Sequence, residues 1–168
     1  MGTPNATNTI IVSHIFTAPV DKLWKAWTDE DSLKKWWGPF DFYPTIAKVN
    51  LNSGKKAFIN LTSKKHPEQG ITYSTWEYKN IVYRNRLEFL YNLTDEQGKP
   101  LYPNKYKLPE NFPQNHLQQV DFKALESSKT KVTITKKNWP IGKEQEKVRT
   151  WIEESFTKLD DFLKSEKE

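Results

Sequence analysis

The chain begins with an alternating stretch. From Asn8 to Phe16, Ile10, Val12, His14 and Phe16 share one parity and Ile11, Ser13 and Ile15 the other, which predicts a strand apolar on much of both faces. Thr17-Ala18-Pro19 stops it, and Pro19 suits the first turn of a helix, where its missing N–H needs no partner. Val20, Leu23, Trp24 and Trp27 follow at i, i+3, i+4, i+7, a single helical stripe. A second short helix starts at Asp29-Glu30-Asp31, whose carboxylates can cap free N–H groups. It carries Leu33, Trp36 and Trp37 and ends at Gly38-Pro39.

From Phe42 the period changes to two. Ala47, Val49 and Leu51 mark one strand, then Ala57, Ile59 and Leu61, then Trp76 and Tyr78. Leu87, Phe89, Tyr91 and Leu93 mark the next, followed by Val120 and Phe122, and by Val132 and Ile134. Polar turns separate most of them, at Asn52-Ser53-Gly54, His66-Pro67-Glu68-Gln69-Gly70, Arg84-Asn85 and Ser127-Ser128-Lys129, so the pattern predicts an antiparallel meander. The stretch 94–115 has no period and contains Pro100, Pro103, Pro109 and Pro113. Its apolar anchors Leu101, Tyr102, Tyr106, Leu108 and Phe112 predict an ordered flap.

The last segment is the clearest helix. Val148, Trp151, Ile152, Ser155, Phe156, Leu159, Phe162 and Leu163 lie on one face, and Glu154–Lys158 and Asp160–Lys164 are expected to pair on the other. Such a face must lie on something apolar, and the sheet is the only candidate. The predicted class is therefore α+β, with a curved antiparallel sheet of about seven strands wrapped round a long C-terminal helix, and two short helices after the first strand. Residues 1–7 are expected to be a flexible N-terminus and 8–168 a single domain.

Composition narrows the chemistry. A chain of 168 residues can bury a full core, and without cysteine it has no disulfides, thiolate metal sites or cysteine nucleophile. Seven Trp, nine Phe and seven Tyr supply a large apolar payload despite a mean hydropathy of -0.83. No stretch approaches a membrane span, and no basic cluster followed by an apolar run marks a secretory signal, so the expected setting is cytoplasmic. The net charge of +5 is carried by the middle of the chain: residues 55–93 hold seven basic and three acidic groups and 115–139 hold five and two, in pairs such as Lys55-Lys56, Lys64-Lys65 and Lys136-Lys137. These lysines are expected on solvated faces and turns, with nucleic acid not a partner.

Catalytic patterns are thin. His14, His66 and His116 are far apart, and His66 and His116 are expected in solvent beside loops. The glycines form neither GxGxxG nor GxxxxGK, and Ser13 and Ser155 lack a base in the pattern. No catalytic residue, metal or cofactor is assigned. Glu77, Glu88 and Asp121 are expected to pair on the outer face with Arg86, Lys79 or Lys123; a cavity acid would instead need burial and a raised pKa. The inward set is different. Trp36, Trp37, Ile59, Trp76, Tyr78, Phe89, Tyr91, Phe122, Trp151 and Phe156 form a core that is also the candidate lining of an apolar ligand site, with the Tyr78 and Tyr91 hydroxyls as its polar groups.

The run from Ile10 to Pro39, with Ala18-Pro19, Trp24-Lys25-Ala26-Trp27-Thr28-Asp29 and Trp36-Trp37-Gly38-Pro39, resembles the opening of the activator-of-heat-shock-protein-90-ATPase-like family. Leu51 with Gly54, Tyr78, Ile81-Val82, Arg86-Leu87, Phe89, Trp151, Leu159 and Leu163 continue the match. The family is a branch of the START-like superfamily, so the resemblance implies a helix-grip fold with an apolar cavity between long helix and sheet. It also implies a role among lipid carriers, cyclases and stress-response co-chaperones. Lys55 stands where a second glycine is usual, and Trp76 where a small residue is usual; its ring would take up cavity volume. The expected function is binding of a small apolar, lipid-like or aromatic molecule. The alternatives are a chaperone-interacting module, or a cyclase or hydrolase using the same cavity.

Overall fold

The computed structural model describes residues 7–101 and 115–166. Strand β1 (Thr7–Phe16) leads into α1 (Val20–Thr28) and α2 (Glu30–Trp36). The short strands β2 (Phe42–Tyr43) and β3 (Ala47–Lys48) follow, then β4 (Lys56–Ser63), β5 (Ile71–Val82), β6 (Arg86–Thr94), β7 (Asn115–Glu126), β8 (Lys129–Pro140) and α3 (Lys143–Ser165). All pairings are antiparallel, in the order β1-β8-β7-β6-β5-β4-β2, with β3 also on β4. The sheet curls as a half-barrel, and α3 packs against β1, β8 and α2. This is the α+β helix-grip architecture that the sequence pattern predicts.

The expected strand through Ala47, Val49 and Leu51 is shorter than its alternation suggests. Only Ala47 and Lys48 pair with β4, while Val49 and Leu51 reach the core from irregular backbone. There the Glu30 carboxylate accepts the Val49 N–H, and the buried Asn60 carbonyl accepts the N–H groups of Thr45 and Ile46. Side chains thus do the work of a strand partner. The expected flexible segment 1–7 lies outside the described residues except for Thr7, which already pairs with Pro140. Most of the expected flap, including Tyr102, Tyr106, Leu108 and Phe112, also lies outside them. Its described beginning is a tight turn: Asp95 Oδ1 accepts from the N–H of Gln97 and Lys99, and Leu101 N–H returns to Leu93 O.

The two short helices position the aromatic core. Asp29 caps α2 by accepting from Ser32 N–H at 2.9 Å and from its hydroxyl at 2.8 Å. Trp36 donates its indole N–H to Ala26 O at 2.8 Å and so fixes α2 to α1. Gly38 ends the unit at φ +105, where a Cβ would stand 2.8 Å from Leu61 Cδ2. Loss of the cap in Asp29→Ala is expected to cost about 1 kcal/mol and lower the melting temperature by a few degrees without changing the fold. An unchanged calorimetric melt would show that the cap contributes nothing.

On α3, Asp160 and Lys164 pair at 3.1 Å as expected. The expected Glu154–Lys158 partnership is replaced. Glu154 accepts from Phe40 N–H, and Lys158 donates to the carbonyls of Trp37, Pro39 and Phe42. Both side chains reach across to backbone groups of the loop after α2, and they tie the Trp37 segment to the long helix.

Candidate functional site

The candidate lining residues occupy the interior. Trp36, Trp37, Ile59, Trp76, Tyr78, Phe89, Phe122 and Phe156 are buried, and Tyr91 and Trp151 are half-buried against the same core. They do not form one wall. Trp37 is the hub: its ring meets Trp36 at 5.5 Å, Trp76 at 4.9 Å and Trp151 at 5.0 Å, all edge to face. Trp76 stacks on Phe89 at 4.5 Å, and Tyr78 meets Phe89 edge-on. Phe122 packs elsewhere, against Trp24, and Phe156 against Phe16. Ile59 sits on β4 beside Ser74 of β5, whose hydroxyl donates to its carbonyl.

Rings therefore bridge the space from α2 to the inner face of β5 and β6. The Nε1 atoms of Trp27, Trp37 and Trp76 and the Tyr78 hydroxyl are buried with no hydrogen-bond partner among the described residues. Buried donors of this kind cost free energy unless something accepts from them. Burial also raises the Tyr78 pKa, so the hydroxyl stays protonated and available as a donor.

The inner face also holds a polar group that the sequence reading places in solvent. His116 is buried, not solvated, and so are Gln118 and Lys136. Lys136 Nζ lies 3.3 Å from His116 Nε2 and stands over the rings of Tyr91, Trp139 and Trp151 at 5.7, 5.4 and 5.9 Å. Burial pulls its pKa from 10.5 to about 7. The signal was present in the alternation. His116 and Gln118 continue the parity of Val120 and Phe122, and Lys136 that of Val132 and Ile134.

Among the described residues, two of the three outer-face carboxylates expected to pair do so, and Glu88 makes no ion pair. Glu77 pairs with Lys79, whose hydrogen bond holds the carboxyl below its ordinary range, and Asp121 accepts from Arg86 at 2.7 Å. Glu88 is half-exposed and His14 is exposed. All four are at least partly exposed, whereas a cavity enzyme needs a buried acid. An open depression of about 340 Å³ lies at the β5–β6 hairpin, lined by Asn80, Val82, Asn85, Arg86, Asp121 and Phe122, with no contribution from α3.

A curled sheet gripping a C-terminal helix, with rings between them, defines a START-like helix-grip domain. The family described as "Activator of Hsp90 ATPase homolog 1-like protein" matches residues 17–164, and the chain belongs to that family. A solution structure of a Staphylococcus epidermidis protein is 22% identical, with a TM-score of 0.75, covering 99% of this chain and 95% of that one. A solution structure from Arthrobacter aurescens is also 22% identical, at TM-score 0.74, over 95% and 87% of the two chains. The AHSA1 protein of Silicibacter pomeroyi is 10% identical, at TM-score 0.73, over 94% and 99%. At these identities the likeness establishes the fold. A search of curated proteins returned no match. No described helix is long and apolar enough to cross a membrane.

Proposed function

We propose that this domain binds a small apolar molecule, lipid-like or aromatic, between α3 and the inner face of the sheet. The observation that carries the reading is the set of buried, unpartnered donors on Trp37, Trp76 and Tyr78 within a ring-rich interior. A ligand with one acceptor among apolar carbon would satisfy a donor and gain about 5 kcal/mol from roughly 200 Å² of apolar burial. Movement of Trp76 against Phe89, or of the Trp37–Trp151 pair, would make room for it.

A panel of fatty acids, long-chain alcohols and aromatic polyketides tests the reading through tryptophan emission and melting temperature. Binding is expected to shift the emission, because Trp37, Trp76 and Trp151 touch, and to raise the melting temperature by several degrees at saturating ligand. A flat response across the panel removes the proposal.

The alternative, a chaperone-interacting module, draws support from the family description and from the exposed Tyr83, 63% accessible, beside Arg84 at the β5–β6 turn. Stimulation of a chaperone ATPase by the wild-type chain, lost in Tyr83→Ala, would favour it over ligand binding.

A further inference from the structure

The feature that stands apart from the apolar core is the lysine on the inner face. β8 alternates regularly up to Lys136, with Val132, Ile134 and Lys136 inward. Then the register with β1 shifts: Asn8 faces Trp139 and Ile10 faces Lys136, so Lys137 and Asn138 share the space opposite Thr9. Asn138 adopts φ +61, the left-handed conformation that absorbs the extra residue. The bulge resets the parity, and Trp139 turns inward as well. Lys136 and Trp139 therefore meet on one face three residues apart, which an unbroken strand forbids.

Among the described residues, the groups facing the amine come from four neighbouring elements. β7 contributes His116, with Gln118 as the register partner of Lys136. β6 contributes the Tyr91 ring, α3 contributes Trp151, and β1 contributes Ile10. Gln145 of α3 donates to Trp139 O and to Asn8, which holds the start of the helix against the bulge. Among the described residues no carboxylate stands within ion-pair distance of Lys136. Three ring faces favour a cation at this point, and among the described residues no carboxylate neutralises it.

We infer that Lys136 is the head-group anchor of the proposed ligand site, and that the ligand is an apolar molecule bearing a carboxylate, whose charge Lys136 receives between Tyr91, Trp139 and Trp151. The inference rests on the ligand-binding reading and specifies its chemistry. A carboxylate oxygen would accept from the ammonium in a dry, aromatic-walled site, where a charge-assisted bond is strong. Because the free amine titrates near neutrality, binding the anion above that range draws a proton onto it.

Matched probes test this: dodecanoate against dodecan-1-ol, and 2-naphthoate against 2-naphthamide, titrated into wild-type protein and Lys136→Met. The wild type is expected to prefer each acid by about tenfold or more. Its acid affinity is expected to fall by up to tenfold per pH unit above about 7, with proton uptake seen as buffer-dependent calorimetric heats, while the neutral probes bind independently of pH. In Lys136→Met the acid preference should vanish and neutral binding should persist. Equal wild-type affinity for acid and neutral partner, or acid binding without proton uptake above pH 8, overturns the anchor while leaving apolar binding intact. Failure of the wild type to take up any probe overturns both. The wild-type pH series decides the question even if the variant does not fold.

Discussion

Trp76→Ala should destabilise the domain by about 3–5 kcal/mol and lower its melting temperature by roughly 6–20 °C. The ring is fully buried, stacked on Phe89 at 4.5 Å and edge-on to Trp37 at 4.9 Å, so truncation removes its burial and leaves a void that the neighbouring rings cannot close without leaving each other. The second half of the prediction concerns that void. Millimolar indole should refill it and recover part of the lost stability, in proportion to the logarithm of its concentration over its dissociation constant. The variant should also accept bulkier apolar ligands than the wild type, since a small residue at this position restores the volume that Trp76 takes up. Differential scanning calorimetry with and without indole reads both effects. A loss below about 1 kcal/mol would mean that the ring lies in space that was never closed.

The second large effect runs the other way. Lys136→Met should stabilise the protein near neutral pH. In the folded chain burial pulls the amine from 10.5 to about 7, whereas the unfolded chain keeps it near the ordinary value. Between those limits the unfolded state binds more protons, so this group makes wild-type stability rise with pH from about 7 to about 10.5, and its penalty is fully present below about 7. A fall of that size corresponds to about 5 kcal/mol. The pull of three rings on the ammonium offsets part of it, and a gain on the order of 2–4 kcal/mol is expected at pH 6–7, shrinking to little by pH 10. Paired urea melts of the two proteins across that range measure the difference. A Met variant no more stable than wild type at pH 6 would show that the amine reaches water or a counter-charge.

The strand and helix pattern carried most of the architecture because the periods are clean. Leu23, Trp24 and Trp27 are buried as their helical spacing requires, and Trp76, Tyr78, Leu87 and Phe89 as their alternation requires. What the pattern misjudged was polar residues in register with apolar ones. His116 and Lys136 obey the inward parity, but their polarity and the adjacent loop or charged neighbour argued for solvent. Burial of a lysine follows from three-dimensional packing by Trp139 and Trp151, and Trp139 arrives there only through a bulge that no alternation predicts. Lys158 was misplaced for a similar reason. Local helical spacing offered Glu154, while the tertiary fold offered three backbone carbonyls across the groove. The candidate lining residues face inward as their parity requires but do not share one wall, because parity says which face a ring occupies and not which neighbours share it. Phe122 and Phe156 accordingly belong to other parts of the core.

The extra residue opposite Thr9 gives chain length a chemical meaning at this place. A strand shorter by one residue between Lys136 and Trp139 would keep the amine inside and swing the indole out to water, stripping one wall from the pocket around the charge. Under the proposed anchor the spacing, counted in residues, would set how strongly the interior attracts an anion, without altering a single side chain that would touch one.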